Sequence, residues 1–416
     1  MQNLSKENYK ICIVGMGYVG LPLAARFSFK EFSVTGFDIN EERINQLINQ
    51  IDINDDISDK NLKILVKNSK LTSKINEIRD SNVYIITVPT PINEDKTPDL
   101  GPLIGSSELV GSIMKKGSIV IYESTVYPGV TDEICTPILE EKSNLIFNKE
   151  FSTGYSPERI VPGDKINTIE KITKVVSASS KDTLEVVSFL YSSIIDAGIY
   201  EAPSIKVAEA AKVTENIQRD VNIALINEMH QLYSSIGINT NEVIDAASTK
   251  WNFMKLSPGL VGGHCISIDP YYLMHKSEIS GYAPNIMRAS RKINDEMSIW
   301  VVKKFLEFAD MKQVDIKSTE ITFLGYSFKE NCSDIRNTKV RDLIFIVKDL
   351  GVRISLWDPV VDIHQLKDLE KEGIKVFSKK PNKIEFAFLC VNHDQINDYL
   401  ENYKGLIFDY KNIDLN

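Results

Sequence analysis

One segment near the amino terminus constrains the fold of this chain more than any other. Residues 9–14 are mostly apolar, as in a buried strand, and glycines follow at Gly15, Gly17 and Gly20. Apolar residues at helical spacing come next, over residues 21–27. A strand, a tight glycine-rich turn and a helix in this order predict the start of a parallel α/β sheet.

The three glycines, together with an acidic residue after the next strand, predict a dinucleotide site. Gly15 would permit the turn, Gly17 would let the backbone approach a pyrophosphate at the helix amino terminus, and Gly20 would allow close packing of helix on strand. Asp38 directly follows the predicted strand Ser33–Phe37. Its carboxylate would accept hydrogen bonds from both ribose hydroxyls.

The charge of Asp38 bears on the choice of cofactor. A carboxylate at this position repels a 2′-phosphate, so NAD is expected in preference to NADP. Arg43 lies in the same loop and keeps NADP open as the alternative. Residues 87–91 and 123–129 follow two further predicted strands and would line the same cleft, whereas the composition of residues 48–58 predicts a solvated loop.

The rest of the chain continues this alternation, with a helical interruption in the middle. Apolar runs at Val83–Val88 and Ser118–Tyr122 alternate with helix-like stretches, which predicts a doubly wound parallel sheet. The patterns of residues 203–235 and 287–308 each predict one long helix, and a second α/β pattern begins near Ile321. We expect two Rossmann-like domains joined by a central helical domain with a long helix. The expected bounds are 1–200, 201–310 and 318–416.

Composition and charge exclude several classes of function. The chain has 48 Lys and Arg against 57 Asp and Glu, a net charge of −9, so we expect no binding to nucleic acid or to a membrane. Its five cysteines are odd in number and widely spaced, without metal-binding spacing. This pattern favours reduced thiols in the cytoplasm and predicts no metal site.

A glycine-flanked cysteine is the most informative stretch for chemistry. Cys265 follows Gly262, Gly263 and His264, and Asp269 lies four residues later. Glycines before a cysteine let the chain turn sharply and hold a small nucleophile against a ligand, whereas a lone cysteine is more often inert. Neighbouring side chains diverge, so adjacency does not support a Cys/His nucleophile pair, and we interpret His264 as structural or ligand-lining.

A nucleophilic thiol beside a nicotinamide has one strong chemical use. It adds to an aldehyde to give a thiohemiacetal, which loses a second hydride and becomes a thioester. Water then releases the acid, so an alcohol is oxidised twice without release of the aldehyde. These steps need an oxyanion partner and a group that activates water, roles that suit Lys, Asn, Thr and carboxylates.

Seven motifs follow one another along the chain. They are Gly15-x-Gly17-x-x-Gly20, Asp38, Ser124-Thr125-Val126, Ser156-Pro157-Glu158-Arg159, Glu209-x-x-Lys212-x-x-x-Asn216, Gly262-Gly263-His264-Cys265 with Asp269, and Lys329 to Arg336. Together they resemble the motifs of the UDP-glucose/GDP-mannose dehydrogenases, which oxidise the C6 hydroxyl of a nucleotide sugar to a carboxylate with two NAD. The resemblance covers essentially the whole chain and implies a UDP-sugar substrate, with the nucleotide in the last domain.

The resemblance implies roles for the matching residues in the chemistry. Cys265 resembles the thiohemiacetal nucleophile. Lys212 and Asn216, one helical turn apart, resemble the pair that stabilises the oxyanion. Glu158 resembles the carboxylate that activates water for thioester hydrolysis.

Further roles follow from the same resemblance. Asp269 with Thr125 would hold or polarise water. Lys329 matches a nucleotide-sugar ligand, Arg336 a contact on the cofactor side and Arg43 a further NAD contact. The other expected contacts are Tyr18, Val19, Thr90 and Thr125 for the cofactor, and Glu158, Arg159, Lys212, Asn216, Gly262 and His264 for the substrate.

Two positions depart from the UDP-glucose branch of this family. Pro162 stands where that branch commonly has a second Glu, and Ile268 stands where it has Lys. The surrounding segments instead resemble UDP-N-acetylhexosamine 6-dehydrogenases, which implies UDP-GlcNAc or UDP-GalNAc as substrate, with UDP-ManNAc and UDP-glucose as alternatives. Arg159 and His264 are hypothesised to face the sugar.

Two other interpretations stay open. A two-electron β-hydroxyacid dehydrogenase also pairs a Rossmann domain with a helical domain that bears a catalytic Lys, but it leaves Cys265 and the last domain unexplained. A noncatalytic nucleotide-sugar-binding protein is disfavoured because every candidate catalytic residue type is present. The family further implies a role in capsule or O-antigen assembly, and the long central helices favour a homodimer.

Overall fold

The structure, a computed structural model, describes residues 4–53, 56–160 and 168–412. The chain divides into two compact units. The first contains residues 1–215 and 271–282, and the second contains residues 216–270 and 283–416. Each unit contains its own β-sheet.

The first unit alternates strands with helices. Its strands are β1 (Lys10–Val14), β2 (Ser33–Phe37), β3 (Lys70–Thr72), β4 (Val83–Ile86), β5 (Ser118–Tyr122), β6 (Phe151–Tyr155), β7 (Lys174–Ala178) and β8 (Ile199–Glu201). Its helices are α1 (Gly20–Phe29), α2 (Glu41–Ile48), α3 (Asp59–Asn68), α4 (Gly101–Gly111), α5 (Thr136–Ser143) and α6 (Lys181–Ser192). Short 3₁₀ segments lie at Lys6–Asn8, Ile75–Ile78 and Ile169–Lys171, and a π-helical turn at Thr131–Cys135 leads into α5.

The strand order of the first sheet is β3-β2-β1-β4-β5-β6-β7-β8. Strands β1 to β6 are parallel, in the order that dinucleotide-binding sheets use. Strand β7 runs antiparallel to β6 and pairs in parallel with β8. The predicted parallel sheet is confirmed over its first six strands, and β7 differs because an antiparallel neighbour needs no crossover helix.

The turn between β1 and α1 depends on two of its glycines. Gly15 has a φ of +99°, which disfavours any side chain, and its N–H donates to the Phe37 carbonyl at 2.8 Å. A Cβ atom at Gly20 would lie 1.9 Å from the Gly15 carbonyl oxygen. The first turn of α1 can therefore pack on the end of β1 only when residue 20 lacks a side chain.

The core of the first unit lies between its sheet and the covering helices. Strands β4 and β5 are buried at every position, as expected for a sheet covered on both faces. Side chains of α1 and α6 meet over this sheet, where the Phe27 and Tyr191 rings lie 6.1 Å apart in a T-shaped arrangement. The polar residues that follow these strands are thus attached to a buried, closely packed sheet.

Four helices occupy the middle of the chain. They are α7 (Ile205–Ser235), α8 (Thr240–Ser248), α9 (Asp269–Ile279) and α10 (Asn285–Met311). The two long helices predicted over residues 203–235 and 287–308 are confirmed as α7 and α10. Helix α7 begins in the first unit and continues into the second.

The second unit contains a five-stranded parallel sheet. Its strands are β9 (Glu320–Leu324), β10 (Arg353–Trp357), β11 (Lys375–Val376), β12 (Phe386–Leu389) and β13 (Leu406–Asp409), in the order β11-β10-β9-β12-β13. Its helices after α10 are α11 (Lys339–Asp349), α12 (Lys367–Lys371) and α13 (Asp394–Leu400), with a 3₁₀ segment at Ile363–Leu366. The predicted second Rossmann-like domain is therefore confirmed.

Helix α10 joins the core of this second sheet. Its Phe305 ring packs against Phe386, Phe388 and Phe408, with ring centroids 5.6, 5.1 and 5.7 Å away. Aromatic contacts of this kind stabilise beyond the apolar area they bury. In the described part of the chain, no helix combines the length and apolarity needed to cross a bilayer.

We expect Gly20→Ala to destabilise the first unit by about 1 to 3 kcal/mol, because its methyl group would overlap a backbone oxygen. Gly105→Ala is the matched control, since residue 105 lies inside α4 and a Cβ atom there would meet no atom within 4 Å. The control should raise stability by about 0.5 to 1 kcal/mol. Urea unfolding of both variants measures the difference, and equal stabilities would contradict the close-packing argument.

Candidate active site

The carboxylate of Asp38, directly after β2, points to the glycine-rich turn. One oxygen accepts from the Met16 N–H at 2.8 Å, and the other accepts from the Asn40 N–H at 2.9 Å. A Cβ atom at Gly17 would meet no atom within 4 Å, so the backbone there is open to a ligand. An open backbone beside a fixed carboxylate is what a dinucleotide requires, and these residues fit NAD.

Arg43 supports this turn from inside the protein. Its Nε donates to the Met16 carbonyl at 3.0 Å, and its guanidinium pairs with Asp52 at 2.9 Å and Asp56 at 3.4 Å. The side chains of Arg43 and Asp52 are 9% and 5% exposed, so the interpretation of residues 48–58 as merely solvated is wrong at this ion pair. The direct NAD contact of Arg43 stays a prediction.

The loops after β4 and β5 lie side by side. The Thr87 hydroxyl donates to the carbonyls of Val14 and Gly15 at 3.0 and 2.8 Å, which ties the first loop to the glycine-rich turn. The Ser124 hydroxyl donates to the Val88 carbonyl at 2.6 Å and joins the two loops. Of the predicted cofactor contacts, Tyr18 in the glycine-rich turn and Thr90 and Thr125 in these two loops are partly exposed, whereas Val19 is buried.

Glu158, just after β6, is held on both carboxylate oxygens. Its Oε1 accepts from the N–H groups of Arg159 and Ile160 at 2.6 and 2.5 Å, and its Oε2 accepts from Lys174 Nζ at 3.2 Å. The same ammonium donates to Glu123 at 2.7 Å. Glu158 is thus one of two carboxylates that share a buried lysine.

The sequence analysis assigned no role to Lys174 and placed Glu123 only among the residues that would line the cofactor cleft. Burial raises the pKa of Glu123 to about 7, although Lys174 opposes that shift. Burial would lower the pKa of Lys174, but the carboxylates of Glu123 and Glu158 raise it. One signal was available in the sequence, since Lys174 is the one charged residue of the strand Lys-Val-Val-Ser-Ala.

Arg159 is committed to protein partners. Its guanidinium pairs with Glu215 at 2.8 Å and donates to the Thr173 carbonyl at 2.8 Å. Its side chain is 28% exposed. These contacts fix the guanidinium on Glu215 and Thr173, and its contact with the sugar stays a prediction.

Helix α7 carries Glu209, Lys212 and Asn216 on successive turns. Glu209 is fully buried and accepts from the N–H groups of Gly129 and Thr131 at 2.6 and 2.9 Å. It therefore anchors the loop after β5 to this helix. Lys212, one turn further, is 7% exposed.

In the second unit, Asn216 and Asp269 meet beside the cysteine turn. Asn216 Nδ2 donates to Asp269 Oδ2 at 2.6 Å. The N–H groups of Asp269 and Ile268 donate to the Cys265 carbonyl at 2.8 and 3.0 Å. The cysteine turn is thereby linked to Asn216, which lies far from it in sequence.

Cys265 differs from the other thiols of the chain. All five cysteines lie within the described residues; Cys12, Cys135, Cys332 and Cys390 are buried, whereas Cys265 is partly exposed. Burial raises the pKa of the Cys135 thiol to about 12 and also raises the pKa values of the other three buried thiols. A nucleophile must be both accessible and ionisable, which favours Cys265 over the buried four.

His264 and Arg336 both lie against Asp334. His264 Nδ1 is 3.6 Å from Asp334 Oδ2, and Arg336 Nε donates to both carboxylate oxygens at 2.9 and 3.0 Å. Burial alone would raise the pKa of Asp334, but the neighbouring His264 and the hydrogen bonds from Arg336 lower it below its usual value. Asp334 is a residue to which the sequence pattern alone assigned no role.

The two glycines before His264 allow a close approach to the loop after β9. A Cβ atom at Gly262 would lie 2.8 Å from the Asn337 carbonyl oxygen, and one at Gly263 would lie 3.1 Å from the Phe328 ring. Gly263 also has a φ of +82°. The glycines therefore let the cysteine turn pack directly on a segment from the last domain.

Lys329 lines a cavity of about 370 Å³ within the second unit. Gly259, Leu260, Gly262 and Phe328 also contribute to its wall. Beneath the wall, Asp358 accepts from the N–H groups of Tyr326 and Ser327 and contacts buried His393 at 3.1 Å. Lys339, Lys411 and Glu330 also line the cavity, and a lining with several lysines suits a phosphate-bearing ligand.

Pro162, where the family pattern departs, lies outside the described residues. Among the residues that are described, no three His, Cys, Asp or Glu side chains are grouped to hold a metal ion.

Comparison with known families identifies three consecutive domains. Residues 9–195 match the NAD binding domain of the UDP-glucose/GDP-mannose dehydrogenase family, residues 206–296 match its central domain, and residues 322–414 match its UDP binding domain.

Individual relatives agree with this match. The chain is 47% identical over 392 residues to a UDP-N-acetyl-D-glucosamine 6-dehydrogenase of Salmonella typhi, with 94% of this chain and 91% of the relative covered. It is 44% identical over 416 residues to protein CapL of Staphylococcus aureus, with 98% and 96% covered. The solved structure of the UDP-D-ManNAc dehydrogenase from Pyrococcus horikoshii superposes with a TM-score of 0.83 at 28% identity, over 92% and 90% of the two chains.

Burial of Glu209 generates a pH prediction. Its folded-state pKa, about 7, exceeds the ordinary value of 4.5, so the folded protein binds the proton more tightly than the unfolded chain. The stability contributed is present below pH 4.5 and is lost as pH rises through 7, a decline of about 1 to 3 kcal/mol. We expect Glu209→Gln to flatten this decline.

Urea unfolding at about pH 5 and about pH 7.5, on either side of the folded-state pKa, measures the effect. Glu185→Gln, on the exposed face of α6, is the control and should keep the wild-type decline. An identical decline in wild type and Glu209→Gln would contradict the prediction.

Proposed function

This chain belongs to the UDP-glucose/GDP-mannose dehydrogenase family, and we propose that it oxidises the C6 hydroxyl of a UDP-N-acetylhexosamine to the uronate. It is an NAD-dependent nucleotide-sugar 6-dehydrogenase, and NAD is its cofactor. When bound, NAD supplies the acceptor for the two electrons removed in each oxidation. Asp38 and the backbone at Gly17 would hold it.

The first half of the proposed reaction produces an aldehyde that never leaves the protein. In the first oxidation the C6 hydroxyl loses its proton to the water that Asp269 and Thr125 would hold, and C6 loses a hydride to the bound cofactor. Lys212 and Asn216 stabilise the negative charge that develops on the oxygen. The Cys265 thiolate then attacks the aldehyde carbon, forming a carbon–sulfur bond, and the carbonyl oxygen takes up a proton to give a thiohemiacetal. Removal of a second hydride from this carbon, together with loss of the hydroxyl proton to water, leaves a thioester on Cys265.

The second half releases the acid. Glu158 takes a proton from a water molecule, whose oxygen attacks the thioester carbonyl, while Asp269 with Thr125 holds or polarises the water. The carbon–sulfur bond breaks, and the electron pair leaves with Cys265 as thiolate. The products are one carboxylate and, over both oxidations, two NADH.

One observation carries this proposal. The partly exposed Cys265 sits in a turn closed by the Asp269 N–H, and the Asp269 carboxylate is fixed by Asn216 at 2.6 Å. A buried inert cysteine would need neither the open position nor the ordered polar neighbours. The arrangement supports Cys265 as a nucleophile with the Asp269 carboxylate fixed nearby as a hydrogen-bonding group.

The acetamido sugar is proposed from the relatives and the sequence. The Salmonella typhi relative is named for UDP-N-acetyl-D-glucosamine, and UDP-GalNAc differs from that sugar at one hydroxyl. The fixed guanidinium of Arg159 and the imidazole of His264 are the groups that we propose face the 2-acetamido substituent. UDP-N-acetylmannosamine and UDP-glucose are the alternative substrates.

We further propose a homodimer formed through the central helices, in the cytoplasm, with a product used for polysaccharide assembly. Apolar side chains on the long helices support the dimer, since Leu232 on α7 is 54% exposed and Ile299 on α10 is 62% exposed. Light scattering of the purified protein measures its mass directly.

We expect two NADH for each UDP-GlcNAc or UDP-GalNAc consumed, because two oxidations precede release. Cys265→Ala should lose at least about a hundredfold in acid formation, since no thioester can form. The absorbance of NADH, measured together with the amount of acid formed, tests the NADH ratio and the loss in Cys265→Ala. Cys332→Ala, which removes a buried thiol, is the control. One NADH per sugar would indicate a two-electron dehydrogenase, and none a binding protein.

We expect Arg159→Ala to lose about tenfold more activity on UDP-GlcNAc than on UDP-glucose, because only the first sugar carries the acetamido group that the guanidinium would bind. The kcat/KM values for UDP-GlcNAc, UDP-GalNAc, UDP-ManNAc and UDP-glucose give the comparison. Arg219→Ala, exposed on α7, is the control. Equal losses on acetamido and plain sugars would show that Arg159 does not discriminate.

A further inference from the structure

A lysine ammonium is enclosed between two carboxylates at the carboxyl edge of the first sheet. Lys174 Nζ lies 2.7 Å from Glu123 Oε2 and 3.2 Å from Glu158 Oε2. The side chains of Lys174, Glu123 and Glu158 are only 4%, 0% and 9% exposed. Water therefore contributes little to solvating these charges, and each depends on its protein partners.

Strand direction explains how the lysine reaches this edge. Glu123 follows β5 and Glu158 follows β6, which are parallel, so both carboxylates lie beyond the same ends of the sheet. Strand β7 is antiparallel to β6, so its first residue, Lys174, lies at that edge too. In a parallel β7 the first residue would have been at the opposite edge.

Buried Tyr191 of α6 contacts both Glu123 and Lys174. Its hydroxyl donates to Glu123 Oε1, and its ring centroid lies 5.4 Å from Lys174 Nζ. Glu123 therefore has one oxygen on Tyr191 and one on Lys174. Glu158 has one oxygen on Lys174 and the other on the N–H groups of Arg159 and Ile160.

A structural purpose accounts poorly for this arrangement. Burying an ion pair costs desolvation that its Coulombic attraction offsets only in part, and apolar residues of the same volume often stabilise a fold as well or better. Three buried ionisable groups around one side chain are more typical of a site where a protonation state is being set. Glu158 is the member that the proposed reaction uses.

We propose that Lys174 and Glu123 act as positioning residues for Glu158, fixing the orientation and basicity of the carboxylate that takes a proton from water. This inference rests on the proposed function, because it concerns the hydrolysis of the Cys265 thioester. Lys174 aims Oε2 of Glu158, while Glu123, which is held in turn by Tyr191, fixes the position of the ammonium.

The charges predict different effects for two variants. Lys174→Met removes the cation beside the Glu158 carboxylate, so the acidic limb of the hydrolysis rate should move to higher pH, by about one pH unit for charges at this distance. Glu123 has a pKa of about 7 and is therefore already protonated on that limb, so Glu123→Gln leaves the charge at residue 123 unchanged there and should move the limb little. The groups facing Glu123 are Lys174, Glu158 and Tyr191.

The experiment separates thioester formation from its hydrolysis. Each variant of the full chain is mixed with NAD and UDP-GlcNAc, NADH is followed by absorbance, and the acyl group on Cys265 is followed by intact-protein mass spectrometry. Lys174→Met should form NADH in a burst and then accumulate the acyl-protein, with steady turnover reduced at least about tenfold at neutral pH. Lys174→Arg should restore much of the rate.

Controls keep the outcomes distinct. Lys171→Met, exposed three residues earlier, should behave as wild type. In a Glu158→Gln background, Lys174→Met should cause no further loss of hydrolysis, because the two residues act through one another. Additive losses, or an acidic limb that does not move in Lys174→Met, would overturn the inference.

The same measurements distinguish a failure of the proposed function from a failure of the positioning role. If wild type forms no acyl-protein and no NADH with any UDP-sugar of the panel, the proposed substrate and reaction are wrong. If wild type turns over normally and Glu123→Gln and Lys174→Met match the Lys171→Met control, only the positioning role is refuted.

Discussion

The direction of the strands is the constraint on which the rest of this structure depends. Parallel strands bring their carboxyl ends to one edge, so the residues that follow β1, β2, β4, β5 and β6 gather there although they are spread along the chain. The glycine-rich turn, Asp38, Thr87, Glu123 and Glu158 reach the same edge in this way. Because β4 and β5 beneath them are fully buried, the edge is rigid enough to fix these groups.

Polar groups at this edge are held mainly by other polar groups of the same unit. Asp38 is bonded to the turn it serves, Arg43 to two aspartates and Lys174 to two glutamates. Buried charges persist only where partners replace water, so each arrangement also limits how the charged group can point. The same rule operates in the second unit, where Asp334 is held by His264 and Arg336.

The cysteine turn owes its shape to backbone sterics rather than to charge. Glycines at 262 and 263 admit the close approach of Phe328 and Asn337, and the Cys265 carbonyl accepts the N–H groups of Ile268 and Asp269. The thiol is left partly exposed while four other thiols are buried. Accessibility and a fixed backbone together favour this cysteine over the others as the proposed nucleophile.

The sequence by itself determined the parallel α/β class, both long helices, the glycine turn with Asp38 and the family, because periodicity and spacing are local properties of the chain. It also pointed to Cys265, whose glycine neighbours are adjacent in sequence. Only the tertiary structure decided that β7 reverses and thereby pairs Lys174 with Glu123 and Glu158, and that Asp334 joins His264 to Arg336. Such partnerships depend on strand direction and loop packing between distant segments, which no local pattern encodes.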